Sequence, residues 1–401
     1  MKAILKTLLF LLTVVIFSQC EKDEPNLEVT IPDSSFLNIL IELGVDTNGD
    51  SLISPAEAEV ITRLDVSGES ISDLTGIEAF VNLDTLDCGN NKLTTLNVSD
   101  NTALKHLYCS YNQLTSLDVS NCIALLFLSC GKTQLTSLDV SNCIALKWLH
   151  CSENQITSLD VSNHTSLVTL SCEDNQLTTL DVSNCTAFES LRCMNNQLTS
   201  LDVSNCTAFK YLDCPNNLLT TLDVSNFASL KYLGCSNNQL TTLDVSNCTA
   251  LEDCWVKNNQ LLNTLNVSNC TALITLYCDD HQLTSLDVSN CTALVYLECD
   301  NNQLTSLAVS SCTALVRLYC HVNQLTTLDV SNNVALKYLH CHDNQLTTLD
   351  VSNCTVLERL TLSYMPSLHK VCVWEMPFPP NGVSVISDDS PNVYYTTDCS
   401  N

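Results

Sequence analysis

Basic residues are scarce in this chain, and their scarcity excludes whole classes of partner. Its 401 residues include 16 Lys and Arg against 44 Asp and Glu, which gives a formal net charge of −28. A chain this acidic repels phosphate backbones and anionic lipid headgroups, so we expect no nucleic-acid partner. The sequence also lacks a phosphate-binding glycine loop, an HExxH motif and paired CxxC spacing. These absences argue against an enzyme, and the cysteines do not have the spacing of a zinc or redox centre.

Long hydrophobic runs are lacking too, apart from one short run at the start. Lys2 and Lys6 precede the apolar run 8–17, which is too short to span a membrane and is typical of a signal peptide at 1–19. This run ends at Phe17-Ser18-Gln19-Cys20, which resembles a bacterial lipobox whose cysteine, Cys20, is lipidated. The alternative is a cleaved secretory peptide without lipid.

An acidic tether at 20–33 follows and begins Cys-Glu-Lys-Asp-Glu-Pro. It is similar to the export signal of surface lipoproteins of the Bacteroidetes. The resemblance implies a bacterial protein that is lipid-anchored in the outer membrane, at the cell surface. Its membrane contact would then be through the N-terminal lipid only.

A 21-residue period dominates the rest of the chain. The unit reads Leu-x-x-Leu-x-Cys-x-x-Asn-x-Leu-Thr-x-Leu-Asp-Val-Ser-Asn-Cys-Thr-Ala, so that Leu107 recurs as Leu128 and again as Leu149. One slip, at Leu262-Asn263, places Val256 and Cys278 22 residues apart. A fixed period of this length predicts a solenoid, because one turn cannot bury its apolar face without neighbours.

Within each unit, Leu-x-x-Leu-x-Cys alternates as a short β-strand does, so stacked units predict a parallel sheet. The second half, Leu-Thr-x-Leu-Asp-Val, leaves neither space nor propensity for a convex helix. The Asn three residues past the strand cysteine is expected to satisfy backbone groups, with stacked copies bonding one another. Thr133 and His281 interrupt this column, and the last turn is expected at 368–373.

Most of the 25 cysteines fall into two columns, which predict buried free thiols rather than a disulfide framework. Where the first column lacks Cys it holds Val66, Val256 or Leu362. The second column is replaced by Asn101, His164, Phe227 and Asn333, so we expect it nearer the surface. Cys372 and Cys399 lie outside the array and are expected to form a disulfide that staples a C-terminal cap at 374–401.

The repeats at 61–373 resemble the short bacterial subclass of leucine-rich repeats, whose unit is LxxLxCxxNxLxxLDLxx. The resemblance implies a mainly β solenoid with a parallel concave sheet and no regular convex helices. Before the repeats, the helical spacing of the apolar residues Phe36, Leu37, Leu40 and Leu43 predicts a short helical N-terminal cap.

Residues 34–60, the expected cap, contain a loop that resembles an EF-hand calcium loop. Oxygen ligands at that spacing suit one structural calcium ion. Ser51 departs from the glycine usual at the sixth position, and the alternative is a polar turn that only resembles the motif. The predicted ligands are Asp46, Asn48, Asp50, Leu52 (through its carbonyl), Ser54 and Glu57.

Aromatic residues make up only 6% of the chain, yet most Tyr and two of three Trp fall beside the strand leucines. Alternation points them outward on the concave face, and an exposed stripe of this composition is typical of a binding surface. The plainer interpretation is that Tyr suits any exposed strand. We expect a monomer that binds a protein or peptide ligand in adhesion or partner recognition, with a glycan as the alternative. The predicted ligand-binding residues are His106, Tyr108, Phe127, Trp148, His150, Arg192, Tyr211, Tyr232, Trp255, Tyr277, Tyr296, Arg317, Tyr319, Tyr338 and His340.

Overall fold

The computed structural model of the chain describes residues 28–225 and 227–399. The predicted signal peptide, the lipidation site Cys20 and most of the predicted tether lie outside the described residues. Among the described residues, no helix has the length and apolar content needed to cross a membrane.

The N-terminal segment begins with two short helices. Helix α1 (Ser34–Glu42) starts at Asp33, whose carboxylate accepts hydrogen bonds from the backbone nitrogens of Ser35 and Phe36. Phe36 and Leu40, one helical turn apart, are buried. The helix predicted from this apolar spacing is confirmed.

Helix α2 (Pro55–Glu59) begins with a capping box, in which Ser54 and Glu57 bond each other's backbone nitrogens. A single turn of 3₁₀ helix follows at Ile77–Ala79. In the described residues these are the only helices. The 3₁₀ turn lies in the first repeat, after its strand at Arg63–Asp65, and the later described repeats contain no helix. The expected absence of regular convex helices therefore holds across the described repeats.

Every strand in the described residues is three residues long. In chain order the strands are β1 (Arg63–Asp65), β2 (Thr85–Asp87), β3 (His106–Tyr108), β4 (Phe127–Ser129), β5 (Trp148–His150), β6 (Thr169–Ser171), β7 (Ser190–Arg192), β8 (Tyr211–Asp213), β9 (Tyr232–Gly234), β10 (Thr242–Asp244), β11 (Asp253–Trp255), β12 (Thr264–Asn266), β13 (Thr275–Tyr277), β14 (Tyr296–Glu298), β15 (Arg317–Tyr319), β16 (Tyr338–His340), β17 (Thr348–Asp350), β18 (Arg359–Thr361), β19 (Lys370–Cys372), β20 (Ser384–Ile386) and β21 (Tyr394–Thr396).

Sixteen of these strands form one parallel sheet, in the order β1 to β9, β11, β13 to β16, β18 and β20. We call this the large sheet. Shorter pairings, β10 with β12 and β17 with β19 and β21, run through the second half of the repeat. The mainly β solenoid with a parallel sheet, as the repeat predicts, is confirmed.

The C-terminal segment extends both sheets. Strand β20 pairs with β18 in the large sheet, and β21 pairs with β19 in the smaller one. The segment at 368–373 is therefore not a strand of the large sheet as expected, since β19 continues β17. The repeat does not predict this arrangement, because Leu360 pairs with Val385 and the two residues are not 21 positions apart. The predicted Cys372–Cys399 disulfide is present, with α-carbons 5.5 Å apart.

The buried asparagines tie each turn to the preceding one. The Asn112 amide nitrogen donates to the backbone oxygens of Cys109 in its own turn and Cys88 in the turn before, both at 3.0 Å. The same triangle recurs at the other asparagines of the column. Stacked asparagines were expected to bond one another. In the described turns their amides instead satisfy backbone groups of two turns, because the chain's change of direction places those groups closer.

Both cysteine columns are inaccessible to water, but the second is less densely packed than the first and so lies nearer the surface, as expected. Its thiols point at a carbonyl of the preceding turn, as Cys143 does toward Val119 at 3.4 Å. Asn101, His164 and Asn333 place a nitrogen against the equivalent carbonyl. Apart from Phe227, the residues of this column therefore share a buried hydrogen-bond donor, which Cys, Asn and His all supply.

One residue in each turn has a positive φ. It precedes the buried asparagine, and φ lies between 50° and 61° throughout. Asn and Asp tolerate this left-handed conformation best, and a β-branched residue tolerates it poorly. The column consists of Ser70, Asn90, Tyr111, Lys132, Glu153, Asp174, Asn195, Asn216, Asn237, Asn258, Asp280, Asn301, Val322, Asp343 and Tyr364.

Candidate functional site

The outward side of the large sheet, called here the open face, carries the candidate site. Each strand buries its central residue and turns the two flanking residues outward. Parallel pairing without a register shift brings equivalent residues of successive turns side by side, as with Tyr211 and Tyr232. Neighbouring strands lie roughly 4.8 Å apart, so successive rings can stack.

All fifteen predicted ligand-binding residues lie on the open face, and none of them is in the core. Within this set, Trp148 and Trp255 are the most exposed of the aromatic residues, each 41% exposed. The other aromatic side chains are half-buried because each ring leans on its neighbour.

The first aromatic patch consists of Tyr108, Phe127 and Trp148 on β3 to β5. Their ring centroids are 4.7 Å and 6.5 Å apart in sequence order. Beside Tyr108 lies a groove of about 380 Å³, which Leu43 and Ile61 also line. The next two strands present only small polar side chains outward apart from Arg192, so the first patch ends at Trp148.

The second patch contains Arg192, Tyr211, Tyr232, Trp255 and Tyr277. The two central tyrosines stack face to face, with centroids 4.4 Å apart and ring planes 6° from parallel. The Arg192 guanidinium lies 5.0 Å from the centre of the Tyr211 ring, a cation–π contact. Trp255 continues the patch edge-on to Tyr232 at 5.4 Å.

Gly234 makes room for the core of this patch. A β-carbon at that position would lie 2.3 Å from a carboxylate oxygen of Asp213 and 3.0 Å from the Tyr232 hydroxyl. Burial raises the pKa of Asp213, whose carboxylate accepts a hydrogen bond from the Tyr211 hydroxyl at 3.4 Å. The glycine thus allows an acid to lie beneath the stacked rings.

The third patch is organised around Arg317. Its guanidinium lies 5.4 Å from the ring centres of both Tyr296 and Tyr319, and 5.9 Å from that of Tyr338. His340 stacks on Tyr319 at 4.1 Å, with ring planes 9° apart. Three tyrosines around one planar cation make a rigid, amphipathic surface.

The sequence reasoning missed a third outward row, formed by the residue after each strand cysteine. The alternation that exposes the flanking residues continues for one more step, which is the signal that could have revealed it. At one end of the open face this row carries Lys257, Asp279, Asp300, His321 and His342. Lys257 lies 2.6 Å from a Glu298 oxygen and 3.3 Å from an Asp279 oxygen.

Burial shifts the pKa values of several side chains in this third outward row. Although burial alone lowers the pKa of Lys257, its ion pairs with Glu298 and Asp279 raise it. Burial, together with the nearby Asp279 carboxylate, raises the pKa of Asp300 to about 7. Burial lowers the pKa of His321 to about 4 and also lowers that of His342. These histidines are neutral at physiological pH.

The predicted calcium loop turns sharply at its sixth position. Ser51, at the sixth position, has φ of 65°, the left-handed conformation that a glycine usually supplies. The Asp46 carboxylate accepts hydrogen bonds from the backbone nitrogens of Gly49 and Ser51, which folds the loop around it. The conformation at Ser51 therefore matches the EF-hand pattern, and calcium binding stays a prediction.

The Glu57 side chain fits such a cation less well. One of its oxygens accepts from Thr47 and the other from Ser54, so both are occupied. In the described part of the chain, Asp46, Asp50 and Glu57 do not form a trio of ligand oxygens within 4.8 Å of one another. A bound cation would have to compete with the capping box of α2.

This chain is similar to proteins of known structure. No protein-family model and no curated protein matches the sequence. Among solved structures, the functional domain of InlJ from Listeria monocytogenes, which includes a cysteine ladder, is 35% identical with a TM-score of 0.73. That alignment covers 83% of this chain and 74% of the InlJ chain.

This chain belongs to the leucine-rich repeat family. A leucine-rich repeat protein from Leptospira interrogans is 22% identical with a TM-score of 0.60, covering 82% of this chain and 97% of that one. InlF, also from Listeria monocytogenes, is 20% identical with a TM-score of 0.57, covering 92% and 96%. These two likenesses show the leucine-rich repeat fold.

Proposed function

We propose that this leucine-rich repeat protein is a non-enzymatic recognition protein whose open face binds a protein or peptide ligand. The observation that carries the proposal is the grouping of its aromatic side chains into three contiguous patches outside the core. Core packing does not require them there, since leucines and cysteines already fill the interior. Aromatic and arginine side chains on one face are the composition of binding hot spots.

The internal contacts of the patches support recognition of a large partner. Ring stacking and the contacts of Arg192 and Arg317 fix the side chains before a ligand arrives, so less conformational entropy is lost on binding. Solenoids present such residues as an extended surface. A patch over several strands suits an extended peptide or a folded epitope.

A glycan is the second candidate. The flat faces of Trp148 and Trp255, each two-fifths exposed, could stack on sugar rings. The two ligand classes are distinguishable because a glycan would bind locally at one indole, whereas a protein would use several patches.

The experiment probes the full chain with an array of purified cell-surface proteins and an array of purified glycans. Trp255→Ala and Trp148→Ala should each weaken binding at least tenfold while leaving the melting temperature unchanged. Tyr364→Asn, an exposed tyrosine off the open face, is the matched control. Loss of protein binding supports the proposal, and loss of glycan binding supports the second candidate. Binding unaffected by both tryptophan changes would contradict an open-face site.

We also propose that the protein acts as a monomer at the bacterial surface, anchored in the outer membrane through lipidated Cys20, with one structural calcium ion at Asp46–Glu57. Support for the anchor comes from the charged, apolar and lipobox segments of the sequence alone. Metabolic labelling with a fatty-acid analogue should modify the protein and fail in Cys20→Ser.

Support for the calcium ion comes from the EF-hand-like backbone conformation at Ser51. A bound Ca²⁺ would coordinate several oxygens of the loop at once and so hold the loop together.

A further inference from the structure

Three histidines gather on two adjoining turns near the C-terminal end of the open face. His340 and His342 flank Cys341, whose side chain enters the core, so both imidazoles lie on the outward side. His321 is the neighbour of His342, because β15 and β16 pair without a shift. The His321 and His342 rings lie 4.3 Å apart and nearly parallel, and the His340 ring is 6.4 Å from each.

One ring nitrogen of each histidine is left without a partner. Nδ1 of His321, Nε2 of His340 and Nδ1 of His342 are inaccessible to water and form no hydrogen bond with the described residues. A buried polar atom left unpaired costs about 1–3 kcal/mol. A ligand that binds to the lone pairs of these three nitrogens would remove this cost.

Carboxylates lie behind two of the rings. Nε2 of His321 is 3.4 Å from an Asp300 oxygen, and Nε2 of His342 is 4.0 Å from an Asp343 oxygen. A carboxylate near one nitrogen favours the proton on that side of the ring and leaves the other nitrogen free as a metal ligand. In both rings the nitrogen without a partner is the one away from the carboxylate.

We propose that His321, His340 and His342 form a binding site for a transition-metal dication of the Zn²⁺ class. Neutral imidazoles suit Zn²⁺, Cu²⁺ and Ni²⁺, whereas Ca²⁺ and Mg²⁺ prefer oxygen ligands. The site is separate from the Asp46–Glu57 loop and does not depend on the proposed recognition function. A His-x-His pair that begins at the end of β16, with a third His just past the end of the adjacent β15, can supply three ligands and leave a fourth position open.

Metal capture requires movement of the rings. Among the described residues, only Asp350, Cys372 and Cys399 hold three potential ligand atoms within 4.8 Å of one another, and the disulfide uses two of them. The imidazoles must therefore rotate to converge on an ion. Their side chains have room for this at the surface, because those of His321 and His342 are each 21% exposed.

The test is calorimetric titration of the full chain with Zn²⁺ alone. We expect one ion per chain, and at least tenfold weaker binding in His321→Ala and in His342→Ala, following the usual effect of losing part of a metal's shell. His369→Ala, at an exposed histidine elsewhere, should bind as the unchanged protein does. His321→Gln retains side-chain volume and should lose binding equally, which separates ligation from packing.

Co²⁺ substitution distinguishes histidine from cysteine ligation. The cobalt protein should show visible d–d bands without the intense sulfur charge-transfer band that thiolates give. No Zn²⁺ binding, equal binding by the His321→Ala and His342→Ala variants, or a sulfur charge-transfer band would each overturn the proposal.

Discussion

The side-chain oxygen of Asn112 lies 3.0 Å from the backbone nitrogen of Leu93, nineteen residues earlier and one turn away. Together with the two bonds of its amide nitrogen, this contact satisfies three backbone groups that no strand partner reaches. The column of asparagines is therefore part of the backbone hydrogen-bond network of the solenoid.

Asn112→Ala should destabilise the protein by at least about 2 kcal/mol, because it leaves buried backbone groups unpaired. Urea denaturation followed by circular dichroism measures the change. Asn121→Ala is the matched control, since Asn121 is exposed and makes a single bond to Ser99, so its effect should stay within about 0.5 kcal/mol. Equal losses in the two variants would show that the buried triangle contributes nothing.

Val322→Asn should stabilise the protein by about 1 kcal/mol. Val322 has φ of 50°, a left-handed backbone conformation that is unfavourable for a β-branched residue. Its side chain is 42% exposed, so the free energy gained by burying it offsets little of this strain. Asn237→Val, at an equivalent exposed position with φ of 52°, should lower stability by a similar amount. Thermal melting of the pair measures both signs. A less stable Val322→Asn protein would contradict the strain argument.

The cysteine columns should be chemically inert in the folded protein. Cys130, Cys172 and Cys299 are fully buried, and burial raises the pKa of Cys130 to about 12. A thiol without its thiolate form reacts slowly. Mass spectrometry after iodoacetamide treatment should find these residues unmodified until denaturant is added. Rapid labelling under native conditions would mean that the turns open readily.

Stability should fall on acidification in part through His281. This residue replaces an asparagine of the column, and burial lowers the pKa of its imidazole from 6.5 to about 4. The fold favours the neutral ring, so its contribution is complete above pH 6.5 and is lost as pH falls toward 4, by up to about 3 kcal/mol. His281→Asn should flatten this part of the pH profile, measured by urea unfolding, and His369→Asn should not. Parallel profiles for the unchanged protein and His281→Asn would refute this.

Calcium should stabilise the N-terminal helices. A chelator should lower the melting temperature by a few degrees, the shift expected for about 1 kcal/mol. Asp46→Ala should remove the response, while Glu69→Ala, an exposed acid outside the loop, should retain it. If calorimetry detects no bound Ca²⁺ and the chelator changes nothing, the loop is a polar turn only.

The repeat predicts much of this structure because every turn has the same pattern of buried and exposed positions. Buried leucines and cysteines, the strand positions and the outward aromatic residues follow from alternation and period. The disulfide follows from the two cysteines outside the array. These features depend on spacing along the chain, which the sequence contains directly.

Other features depend on distances between turns, and the sequence does not contain these. The Asn112 amide reaches the backbone rather than the next asparagine, and Cys143 reaches a carbonyl in the preceding turn. The contact between the His321 and His342 rings likewise depends on the stacking of successive turns, which alternation along a single strand does not specify. The irregular spacing between Leu360 and Val385 likewise concealed the last strand of the large sheet.

The asparagine triangle makes every junction between regular turns chemically equivalent. Loss or gain of one whole repeat leaves each amide facing the same backbone groups, whereas loss of part of a repeat leaves them mismatched. Genes encoding such arrays can therefore change length by recombination between near-identical copies, provided the reading frame and the period are kept. Natural variants of this protein should differ in reach by whole turns while retaining the same two ends.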